Sequence, residues 1–302
     1  MTETLTLGTR GSPLALAQAG MVRDALVAAH GIAVEIVVIV TTGDRVQDRP
    51  LAEIGGKALW TKELDAALLD CRIDFAVHSM KDVETRLPEG IALAAMLSRA
   101  DVRDRLIGAT SFGDLRPGAR IGTSSPRRAA QVRSIRPDAV IVPLRGNVAT
   151  RLAKIADGEA DATLLAAAGL DRLAIPAGTP VPLDVMLPAP AQGAVGITCR
   201  AGDAATHARL AAIGDVATQH AVLLERGLLA ALHADCHSAV AALATIADDG
   251  VTFRAAIFSA DGSEVQGASF REPTENATAA VAALAARLLA AASPVLRAQF
   301  GR

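Results

Sequence analysis

Residues 9–40 constrain the architecture of this 302-residue chain more than any other stretch. Thr9-Arg10-Gly11-Ser12 leads into apolar positions at Leu14, Ala17, Met21, Ala25 and Ala28, spaced for one face of a helix. Ser12 stands at the capping position, Pro13 in the first turn and Gly31 just past the end. A strand is expected over 33–40, a second helix over about 58–71 and a short strand over 74–78, a β-α-β progression that implies parallel sheet. Between them, 41–56 (TTGDRVQDRPLAEIGG) has turn residues and no sustained period, which predicts a long mobile loop of the kind that covers sites.

The same grammar recurs over about 98–194. Strands are expected at 105–109, 120–122, 139–144 and 161–166, alternating with helices at 126–135, 148–157 and 167–173. Five prolines over 176–190 mark a return connection, after which a strand at 195–199 rejoins the first sheet. A long helix over 216–232 precedes a meander at 238–247, 251–259 and 264–270, with an Asp261-Gly262 turn and a closing helix at 275–292. The expected division is therefore 1–97 with 195–213 as one α/β lobe, 98–194 as a second, and 214–302 as a small C-terminal α+β domain. A hydrophobic fraction of 51% against 21% charged residues is ample for several packed cores.

Composition excludes several classes of function. Six Phe, one Trp and no Tyr leave almost no stacking surface for nucleic acid or sugars. Cys71, Cys199 and Cys236 form no CxxC and no metal-finger spacing, and an odd number argues for a reducing compartment. The N-terminus lacks a signal-peptide pattern and no apolar run spans a bilayer, so a cytoplasmic protein without a membrane partner is expected. Residues 99–151 hold eleven Arg and no Lys against four Asp, a local excess of seven positive charges in a chain of net charge −2. Forked guanidiniums in such density point to a small anionic ligand.

Candidate site residues fall at helix starts and strand ends. Arg10 and Ser12 precede the first helix and could seat an anion or be an ordinary cap beside a solvated Arg. In His78-Ser79-Met80-Lys81-Asp82-Val83, just past a strand, Lys81 could pair with a ligand carboxylate while Asp82 moves protons, or the two could form a surface ion pair. His78 reads as structural. Gly122-Thr123-Ser124-Ser125-Pro126-Arg127-Arg128 gathers free N–H groups, hydroxyls and two guanidiniums, and Arg145-Gly146-Asn147 with Arg151 repeats the device. Such loops at the edges of two facing lobes would build one basic cleft. Cys236, between His233 and His237 and beside Asp235, is a candidate reactive thiol, with a metal site as the competing reading. Cys71 and Cys199 read as inert packing.

Together, TRGSPLALAQA, VTTGD, GGKALWTKELDAALL, DFAVHSMKD, GTSSPRRAAQ, LRGNVATRL, DATLLAAAGLDRL, PAQGAVGITCR and the Cys236 loop resemble the porphobilinogen deaminase family over residues 9 to about 238. HSMKD and LRGNVATR are the most specific of these. The resemblance implies two lobes like those of periplasmic binding proteins and a third domain carrying a dipyrromethane cofactor through a thioether to Cys236. It implies a monomeric transferase of tetrapyrrole biosynthesis that joins four porphobilinogen molecules head to tail with loss of ammonia and releases hydroxymethylbilane. By the same resemblance Asp82 is the catalytic carboxylate. Lys81, Ser125, Arg127, Arg128, Asn147 and Arg151 hold the cofactor, and Arg10, Ser12, Arg145 and Arg172 contact substrate. No metal is implied. Pro126, Trp60, Ala234-Asp235 and Ser238-Ala239 depart from the family's usual residues. The alternative from a different class is a non-catalytic protein that binds a small polycarboxylate.

Overall fold

The computed structural model describes residues 4–42 and 61–300. From residue 43 on, the loop expected over 41–56 lies outside the described residues, as does Trp60. The chain runs β1 (Thr4–Thr9), α1 (Pro13–His30), β2 (Ala33–Val38), α2 (Lys62–Leu69), β3 (Phe75–Ser79) and β4 (Ile91–Met96). It continues through β5 (Asp104–Ile107), β6 (Arg120–Gly122), α3 (Pro126–Ile135), β7 (Val140–Val142), α4 (Val148–Ala156), β8 (Ala162–Ala166), α5 (Ala167–Arg172) and β9 (Thr179–Pro180). Then follow β10 (Val195–Arg200), α6 (Ala204–Ala211), α7 (Val216–Ala231), β11 (Val240–Ala247), β12 (Gly250–Phe258), β13 (Val265–Glu272), α8 (Ala277–Ala291) and α9 (Pro294–Arg297). Two compact units emerge, Met1–Ala100 with Gly193–Gln219 and Asp101–Gln192 with His220–Arg302.

In the first unit, α1 begins where the sequence predicts. Ser12 Oγ accepts from the Ala15 N–H at 3.3 Å, Pro13 opens the helix, and Gly31 ends it at a φ of 64° with its N–H on the Val27 carbonyl. The sheet order is β2-β1-β3-β10-β4. β1 is parallel to β2 and β3, whereas β10 is antiparallel to β3 and β4. The sheet is thus mixed, not wholly parallel, because the strand returning from the second lobe enters from the opposite end. Pleating sorts its two faces: Phe75 and Val77 pack with Leu7, Val22 and Leu26 under α1, while Ala76 packs with Leu64, Leu68 and Ile73 under α2.

The second unit repeats the plan. Its sheet runs β7-β6-β8-β5-β9, with β6 parallel to β7 and β8 and with β5 antiparallel to β8 and β9. Its core is formed by Leu106, Ile121, Val132 and Leu164. The antiparallel meander β11-β12-β13 belongs to the same unit. Phe253, Ala255 and Ile257 of β12 pack with Leu284 and Leu288 of α8, and Ala256 and Phe258 turn the other way onto Ala130 of α3. The expected turn is present, with Gly262 at a φ of 72° and Asp261 Oδ1 accepting from the Ser263 N–H. Two α/β lobes, each on a mixed five-stranded sheet, with a small C-terminal α+β portion, are the fold.

Candidate functional site

In the first unit, the C-terminal ends of β1 and β3 lie side by side in a parallel pair, the place where open α/β sheets offer backbone and side chains to ligands. A recess of about 70 Å³ there is lined by Arg10, Ser12, Gln18, Thr61, Ser79 and Asp82 among others. Asp82, the last residue of a 3₁₀ turn over Met80–Asp82, is half-buried. Lys81 does not line this recess, although it neighbours Asp82 in sequence. The turn is seated by Met80, whose N–H donates to the Ala194 carbonyl at 3.1 Å and whose side chain lies against Gly196 where any Cβ would collide with it. Gln18, buried in α1, donates from Nε2 to Ser79 Oγ at 2.9 Å and so holds the residue just before the turn. His78 is structural: its ring Nε2 lies 2.9 Å from Thr198 Oγ1, and burial, with the Arg10 charge adding, pushes its pKa down to about 4.

Asp65 of α2, which no sequence motif marks as a site residue, hydrogen-bonds with Thr61 of the recess wall. Its carboxyl is pushed up to about 6 by burial, with the Glu84 charge adding and a hydrogen bond from Thr61 opposing.

In the second unit, β6 ends at Gly122 and α3 starts at Pro126, with Ser125 as N-cap accepting from the Arg128 N–H at 3.5 Å. Arg127 and Arg128 turn onto one carboxylate. Asp104 Oδ2 accepts from Arg127 at 2.8 Å, and Oδ1 accepts from Arg128 at 2.6 Å and from Gln192 Nε2 at 2.9 Å. Burial by itself raises the Asp104 pKa, but the two guanidiniums hold the carboxyl well below the usual range. Arg127 also donates to the Leu187 carbonyl at 2.7 Å. Two cations on one anion leave an excess positive charge in a nearly dry site, and the Nε–H groups of Arg127 and Arg128 are buried without an acceptor among the described residues. This donor set suits the acid arms of a polycarboxylate such as the implied dipyrromethane. Asp104 and Gln192 escaped the sequence reading; its only signal was a carboxylate opening an apolar strand, which requires a buried partner.

Asn147 caps α4, its Oδ1 accepting from the Thr150 N–H at 2.9 Å, and Arg151 Nε donates to the Gly146 carbonyl at 2.9 Å, so these two are gathered at one helix start. Arg145 is half-buried just before that turn, and Arg172 ends α5 with its pKa pushed down by burial. Among the described residues seven of the eleven arginines over 99–151 form ion pairs: besides Arg127 and Arg128 on Asp104, five serve structural pairs, Arg103 with Asp101, Arg105 with Asp171, Arg116 and Arg120 with Asp161, and Arg136 with Asp138. Exposed pairs of that kind contribute about 0–1 kcal/mol each.

Cys236 is exposed on the loop between α7 and β11. Asp235 orders that loop by accepting from the His237 N–H at 2.8 Å while its own N–H donates to Ser238 Oγ at 3.1 Å. Leu232 and Ala234 are buried beneath it. Among the described residues no group of three or more His, Cys, Asp or Glu side chains is placed to hold a metal. Cys199 is buried and its thiol is pushed up by burial, as expected for packing, but Cys71 is exposed at a φ of 58° just past α2 and fills no core. No helix among the described residues is long and apolar enough to cross a membrane.

Residues 5–208 match the family model described as "Porphobilinogen deaminase, dipyromethane cofactor binding domain", and 219–290 match "Porphobilinogen deaminase, C-terminal domain". The chain is 57% identical over 307 residues to a porphobilinogen deaminase of Sphingopyxis alaskensis, covering 98% of this chain and 96% of that one. It is 51% identical over 268 residues to one of Paracoccus denitrificans, covering 86% of each. A nutrient binding protein of Burkholderia cenocepacia, solved bound to methionine, aligns with a TM-score of 0.43 at 15% identity over 68% of this chain and 89% of its own. With both family models matched in order and more than half its residues shared with a near full-length relative, the chain belongs to the porphobilinogen deaminase family.

Proposed function

We propose that this chain is a transferase of tetrapyrrole biosynthesis that condenses four porphobilinogen molecules head to tail, releases ammonia and hydrolyses the product to hydroxymethylbilane. Family membership supports the activity, and the observation that carries the chemistry is the buried excess charge of Arg127 and Arg128 over Asp104. When bound through sulfur to Cys236, a dipyrromethane supplies the nucleophilic pyrrole carbon from which the chain grows. Arg127 and Arg128 neutralise its carboxylate arms, with Lys81, Ser125, Asn147 and Arg151 assisting. Substrate carboxylates fall to Arg10, Ser12, Arg145 and Arg172.

Loss of ammonia leaves a cationic methylene-pyrrolenine, so a carboxylate at the pyrrole nitrogen both stabilises positive charge and exchanges the proton there. That carboxylate is Asp82. Its place in a recess with Arg10 fits a group that receives a ring bearing both an acid arm and a developing cation. We place the enzyme in the cytoplasm as a monomer of three domains, 1–97 with 195–213, 98–194 and 214–302.

Intact mass spectrometry tests this reading. The purified protein is expected to carry an adduct of two porphobilinogen units that Cys236→Ser lacks, and added porphobilinogen should produce a stepwise mass ladder. Protein that carries neither adduct nor ladder would be a polycarboxylate-binding protein instead.

A further inference from the structure

We propose that a recess between α3 and the 232–238 loop is a binding site for a small carboxylate on a flat apolar body. The cavity, of about 280 Å³, is lined by Arg133, His237 and Gln299 and by the apolar surfaces of Pro126, Ala129 and Phe300. All of these belong to the second unit. None of the nine lining residues is acidic.

The position of Arg133 makes the recess cationic. It lies on the face of α3 that also bears Pro126 and Ala129, at i, i+3 and i+7, whereas Arg127, Arg128 and Gln131 face Asp104 and Leu187. Arg133 Nη1 donates to the Ala260 carbonyl at 2.6 Å, which fixes the guanidinium at one wall. Unlike the seven ion-paired arginines nearby, Arg133 has no carboxylate partner among the described residues. Across the loop, the carboxylate of Asp235 accepts from the His237 N–H and from the Ser238 hydroxyl.

The ligand class follows from the lining. A guanidinium, an imidazole and a carboxamide in the lining select a carboxylate, and Pro126, Ala129 and Phe300 offer contact to a ring. The volume, near the lower end of ligand cavities at roughly 300 Å³, suits one small ring with its acid group. That carboxylate has two sources: a free small molecule, or an acid arm of the group anchored on Cys236, the residue before His237. The second source rests on the function proposed above.

Pyrrole-2-carboxylate titrated into the full chain, followed by isothermal calorimetry and by NMR shifts of the His237 and Ala129 amides, decides the matter. Two forms are compared, the protein as purified and Cys236→Ser, with the mass at residue 236 read in the same samples. Saturable binding to both forms supports the site with a free ligand, and binding to Cys236→Ser alone supports it with the anchored arm as occupant. Arg133→Gln keeps a donor for Ala260 but removes the charge, and Gln299→Glu places a negative charge at an exposed rim position. Each is expected to weaken binding about tenfold or more. Absence of saturable binding to Cys236→Ser, or binding that neither variant weakens, overturns the proposal. Because the mass reads anchoring separately, a failed recess is told apart from a failed anchoring.

Discussion

Asp104 and Arg128 meet at 2.6 Å with both side chains almost wholly removed from water. Coulomb attraction in such a place is strong, but so is the desolvation each ion has undergone, and the balance depends on both partners being present. Asp104→Asn keeps the shape and strands two buried guanidiniums, so it should cost about 3–5 kcal/mol of stability, read from the midpoint of denaturant unfolding. The carboxyl is held below its ordinary value, so its stabilisation is present above about pH 4 and lost as pH falls further. An unchanged midpoint would show that the triad is energetically idle.

Arg127→Ala should reduce the fraction of protein that carries the Cys236 adduct, measured by intact mass. Full loading would place Arg127 outside the cofactor's reach.

Asp82→Asn is close to isosteric but can neither carry charge nor accept a proton. Loss of turnover by about a hundredfold or more is expected, with the adduct and the thermal transition retained. Near-normal turnover would remove Asp82 from the chemistry.

Asp65 gives a pH dependence of opposite sign to Asp104. Its folded pKa of about 6 exceeds the ordinary value of 3.8, so the stability it contributes is complete below that value and lost as pH rises through 6. Asp65→Asn should therefore stabilise the protein at pH 7 by about 1–3 kcal/mol and leave it little changed near pH 4, as followed by thermal unfolding at both pH values. Equal effects at the two would mean that the carboxyl titrates normally.

Gly196→Ala would drive a methyl into Met80 and shift the turn that presents Asp82. A cost of about 1–3 kcal/mol and a lower turnover are expected, with partial recovery of turnover in Gly196→Ala/Met80→Ala, where the space is returned. A fully active single variant would show that the turn is held by other contacts.

What the sequence revealed was local. Helix α3 spans 126–135, as expected, because Ser125 caps it and Pro126 opens its first turn. Ser12, Gly31 and Asn147 likewise announced their caps. Strand β4 went unread, because IALAAM has neither strict alternation nor β-branched bulk after its first residue. The direction of β10 was equally hidden, since direction depends on where the chain has been, not on which residues arrive. Of the site, the sequence showed the charged residues but not their partners. Arg127 and Arg128 read as open hands for a ligand until Asp104, more than twenty positions earlier, was found already grasping them.

The place of β10 also governs how the molecule can be made. It lies between β3 and β4, yet a ribosome must synthesise all of 101–192 after β4 before it reaches Val195. A nascent chain halted in that interval has β3 and β4 waiting with unpaired edges. The N-terminal lobe is thus denied the head start that vectorial synthesis gives most leading domains, and its maturation must await the later half of translation.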